Sequence, residues 1–142
     1  MIVAILLGAI LGNFLFEQYK MENQEVVKEV NSLYFIMEGS YSNIDQAKKS
    51  TKDLDVKLIT KEDANYVVYL AITKDSNNLE KLEKLYNDLN INTTIKTMSV
   101  SNKGFLATLE QMDLLINNTK DKEEILSINE VVLANYQEFI LE

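Results

Sequence analysis

The order of strand-like and helix-like segments between residues 33 and 98 constrains this chain more than any other feature. "YVVYLAIT", residues 66–73, is the strongest strand signal, β-branched and aromatic throughout. Three weaker strand signals accompany it: "LYFIM" at 33–37, "DVKLITK" at 55–61 and "INTTIKTMSV" at 91–100. Two helical segments alternate with them. "NIDQAKKSTKDL" starts with Asn43 as N-cap and Gln46 three residues on, the spacing of a capping box. "SNNLEKLEKLYNDLN" sets Leu79, Leu82, Leu85, Tyr86 and Leu89 on one helical face, with Ser76 as the expected N-cap. The turn "EDAN" separates the second and third strands.

The order is therefore β-α-β-β-α-β. Right-handed crossovers after the first and third strands put both helices on one face of a four-stranded sheet. The expected class is α+β, with a ferredoxin-like (RNP-like) layout over residues 32–100. Strict alternation then assigns the faces. Tyr34 and Ile36 share one face, and Phe35 and Met37 the other. Val68, Leu70 and Ile72 lie opposite Val67, Tyr69 and Ala71. The first member of each division packs under the helices, which leaves Phe35, Met37, Val67 and Tyr69 on the second face. A water-facing sheet surface is normally polar. An apolar one is either covered by something else or kept for binding.

Both flanks of this unit are distinct from it. "MIVAILLGAILGNFLF" is apolar for sixteen residues. A membrane span needs about 17–25 residues, and counting through Tyr19 reaches that range only by including Glu17. A basic leader and a small-residue cleavage site are both missing. An uncleaved N-terminal transmembrane anchor over residues 1–19 fits best, ahead of a cleaved signal or a buried helix. "EQYKMENQEVVKEVN" then reads as a polar stalk, assigned to 20–31. Beyond the sheet unit, residues 101–142 carry two amphipathic helices. Phe105, Leu109, Met112 and Ile116 mark the first; Ile125, Ile128, Val132, Tyr136 and Phe139 mark the second, opened by Asp121 with Glu124. With "NNTKD" as the turn, this tail is a C-terminal αα-hairpin.

Composition narrows the chemistry. The chain has no histidine and no cysteine, which removes the commonest general base, the commonest metal ligand and the thiolate nucleophile. No HExxH, GxSxG, SxxK or glycine-rich phosphate loop occurs. A non-enzymatic role without metal or cofactor is expected. Residues 32–100 hold nine lysines against ten acids, and 101–142 hold three against eight. With no basic block and no aromatic-basic RNP pattern, nucleic acid is not an expected partner.

The stretch "YFIMEGSYSNIDQA", residues 34–47, adds a resemblance. A strand, Gly39, Ser40, Tyr41, Ser42 and a charged, Ala-containing helix follow in the order typical of the SPOR (sporulation-related repeat) domain. The segment 66–100 is similar to that family's third strand, second helix and fourth strand. The resemblance covers residues 32–100. It implies non-catalytic binding of peptidoglycan glycan strands at division or sporulation septa, through the sheet face away from the helices. The implied glycan-binding set is Phe35, Met37, Ser40, Tyr41, Ser42, Val67 and Tyr69, rings stacking on sugars and hydroxyls meeting theirs. The chain departs from the family at Met37, where Gln is common, and at Val67, Tyr69 and Ala71. The implied location is the bacterial cell membrane, single-pass, with the C-terminal part extracytoplasmic and divisome or sporulation proteins as further partners. The alternative is a membrane-anchored protein–protein adaptor of the cell envelope that does not bind glycan. An open polar row on the sheet favours glycan; a face sealed by the tail favours the adaptor.

Overall fold

A computed structural model describes residues 32–141. In chain order the elements are β1 (Ser32–Tyr41), α1 (Ile44–Ser50), β2 (Leu58–Glu62), β3 (Asn65–Thr73), α2 (Ser76–Asp88), β4 (Thr94–Ser99), α3 (Lys103–Asn117) and α4 (Lys122–Tyr136). A short π-helical turn, Gln137–Leu141, follows. The strands form one sheet in the order β2-β3-β1-β4, and every adjacent pair is antiparallel. The architecture is α+β and compatible with the ferredoxin-like layout. The apolar run at the N-terminus and its stalk lie outside the described residues. Among the described residues, no helix is long and apolar enough to cross a membrane.

Local chemistry fixes the element ends. Asn43 caps α1, its side chain accepting from the Gln46 N–H at 2.8 Å. The reciprocal half of the box does not form, since Gln46 Oε1 accepts from the Ser42 hydroxyl at 3.1 Å. Helix α1 stops earlier than its pattern predicts, and Thr51 Oγ1 donates to the Ala47 carbonyl at 2.6 Å near its end. Asp75, not Ser76, caps α2, accepting from the N–H groups of Asn77 and Asn78 at 2.7 and 3.1 Å. The β2–β3 hairpin turns on Asp63 and Ala64, because Glu62 already pairs with Asn65. Asp63 takes the left-handed conformation, φ 55°, which Asp tolerates better than most residues.

Two irregularities in the β1–β3 ladder decide which side chains face where. Ile36 pairs with Ala71 and Met37 with Tyr69, so Leu70 is an extra residue on β3. Gly39 then pairs with Val68, so Glu38 is an extra residue on β1. Each insertion reverses the in–out phase of its strand. Leu70 and Ala71, neighbours in sequence, consequently both join the cluster beneath α1 and α2, with Ile36, Val68, Leu82, Leu85 and Tyr86. Ile72 joins the opposite face, with Leu33, Phe35, Val67 and Tyr69. Strict alternation placed Ala71 and Ile72 the other way round; the bulge corrects both.

The opposite face is covered. Helices α3 and α4 pack Phe105, Leu109, Met112, Ile116, Ile128, Val132, Leu133 and Tyr136 against it. The sheet is therefore the middle layer of three, with α1 and α2 on one side and the tail hairpin on the other. At its N-terminal end α4 also reaches the first cluster, through Ile125. Its Asn129 Nδ2 donates to the Tyr86 hydroxyl at 3.0 Å, and that hydroxyl donates to the Leu70 carbonyl, also at 3.0 Å.

Candidate functional site

The candidate glycan surface divides into three unequal parts. Phe35 and Tyr69 have no exposed surface and Val67 is buried beside them. Met37 is half-buried against the same cluster. Tyr41 is half-buried against the cluster on the other side of the sheet. Ser40 and Ser42 are exposed. The seven residues do not form one accessible surface. The bulge at Glu38 supplies the reason for the split: it turns the strand after Met37, so Tyr41 does not share the face of Phe35.

The buried part is an aromatic chain. Phe35 meets Tyr69 edge-on with ring centroids 5.3 Å apart, and Tyr136 of α4 at 5.2 Å. Tyr136 meets Phe105 of α3 at 5.4 Å. Such edge-to-face pairs are worth about 0.5–1.5 kcal/mol beyond the area they bury. Of the rings expected to stack on sugars, Phe35 meets Tyr136 of the tail edge-on, and Tyr69 meets Phe35.

A polar rim closes the end of this layer. The Tyr69 hydroxyl donates to Glu62 Oε1 at 2.6 Å, and Lys96 Nζ reaches Glu62 Oε2 at 3.3 Å. Burial, followed by the Glu62 carboxylate, pushes the Tyr69 phenol far above its usual range. The same two causes raise Tyr136. Both phenols stay neutral at physiological pH, so neither is an available base. The Thr60 hydroxyl on β2 is buried and has no hydrogen-bond partner among the described residues.

The "EGSY" segment has a packing explanation. The Tyr41 hydroxyl donates to Glu38, with Oε1 at 2.7 Å and Oε2 at 2.8 Å. Its ring lies over Gly39, where an added Cβ would stand 3.2 Å from the Tyr41 oxygen. Gly39 has no positive φ, so its small size rather than backbone freedom is what the position uses.

A second polar centre escaped the sequence reading. Asp113 of α3 is buried and ties the tail to the β3–α2 junction. Its Oδ1 accepts from the Thr73 hydroxyl at 2.6 Å and from Asn78 Nδ2 at 3.3 Å, and its Oδ2 from the Lys74 N–H at 3.0 Å. Asn78 Nδ2 also donates to the Asp113 carbonyl at 2.8 Å. Burial raises the Asp113 carboxyl above the usual carboxylate range, although these donors pull the other way. Beside it, Lys81 Nζ donates to the Ile116 carbonyl at 2.5 Å and to the Thr119 carbonyl at the end of α3. A signal for Asp113 existed. Leu109, Met112, Asp113 and Ile116 are the i, i+3, i+4, i+7 positions of one helical stripe, so an acid sits where an apolar residue is expected.

Among the described residues, no group of three or more acidic side chains is placed to hold a metal ion. No family model, curated protein or solved structure matches the chain. The SPOR resemblance therefore rests on element order and the short motif alone.

Proposed function

We propose that this protein is a non-catalytic adaptor of the bacterial cell envelope, held at the membrane by residues 1–19, rather than a reader of glycan strands. One observation carries the choice between the two: Phe35, Val67 and Tyr69, the centre of the sheet face that would stack on sugars, lie in a core shared with Phe105, Val132 and Tyr136 of the tail. A glycan would have to displace the buried apolar side chains of α3 and α4 and break the Asp113 network before reaching them. The composition supports a binding role, since the chain lacks histidine and cysteine.

Glycan binding is the second reading, and the element order favours it. The sheet order β2-β3-β1-β4 is compatible with the ferredoxin-like layout that the resemblance implies. Its contacts would then come from the exposed Ser40 and Ser42 beside Tyr41, not from the covered rings. Sedimentation with purified peptidoglycan, before and after amidase treatment, tests the choice. The adaptor reading expects no co-sedimentation with either. Binding that appears after amidase treatment and is lost in the Ser40→Ala/Ser42→Ala double variant would establish the second reading instead.

A further inference from the structure

We draw no further inference here: the strongest candidate, the outer edge of β4 (Thr94–Ser99), has no neighbouring strand among the described residues, and nothing in the structure shows what covers it.

Discussion

Tyr69→Ala separates a covered sheet face from an open one. On an open face the ring is a surface platform, and its loss changes stability by no more than about 0.5 kcal/mol. In this structure the side chain has no exposed surface, and its ring packs on Phe35. Truncating a buried aromatic to alanine costs about 3–5 kcal/mol, from lost burial plus the cavity left behind. The hydroxyl adds to this, because it donates to the Glu62 carboxylate, and a bond to a charged group contributes about 1.5–3 kcal/mol. Tyr69→Phe isolates that part. A loss of about 4 kcal/mol in Tyr69→Ala is a large share of the ~5–15 kcal/mol that holds a typical domain together. With a urea slope of about 1.5 kcal/mol/M, it moves the midpoint down by roughly 2.7 M. The assay is urea unfolding of residues 32–142 followed by near-ultraviolet circular dichroism of tyrosine, the chain having no tryptophan. A midpoint within 0.5 M of wild type, on the order of 0.7 kcal/mol at that slope, would refute the reasoning and show that α3 and α4 do not seal the face.

Removing residues 101–142 should leave the remainder aggregating or binding a hydrophobic dye strongly, because Phe35, Val67 and Tyr69 lose their cover; a soluble, non-binding fragment would show the hairpin to be an independent unit. Asp113→Ala should cost about 2–4 kcal/mol in the same urea assay, since the buried Thr73 hydroxyl and the part-buried Lys74 N–H lose their carboxylate acceptor. The folded Asp113 carboxyl is raised, so the folded state keeps its proton to higher pH than the unfolded chain does. Its contribution is thus fullest below the unfolded value and falls as pH rises through the folded one. The stability difference between wild type and Asp113→Asn should accordingly shrink or reverse as pH rises from acid toward neutrality, and a pH-independent difference would contradict it. Gly39→Ala should cost less than about 1 kcal/mol, as the Cβ meets only the movable end of Tyr41; a larger loss would mean that the Tyr41 ring cannot shift.

The strands, the helices and their order can be read from the residues alone, because each carries a local signal. A β-branched run, an Asn or Asp cap and a helical apolar stripe are read within a few residues. Both tail helices were legible in this way, down to Phe105, Leu109, Met112 and Ile116, all buried. An apolar second face was also legible, since Phe35, Val67 and Tyr69 share it as alternation requires. What lies on that face is set by the packing of α3 and α4. An apolar surface has the same composition whether a ligand or a helix from the same chain covers it, because hydrophobic burial is non-directional. The bulges at Leu70 and Glu38 were likewise settled by the β1–β3 pairing. An extra residue in a ladder is defined by the partner strand; Gly39 beside Glu38 allows a bulge or turn at the end of β1, but nothing within β3 marks the one at Leu70. The slip at Leu70 placed Ala71 and Ile72, and the slip at Glu38 placed Tyr41 and so divided the candidate site between the two faces.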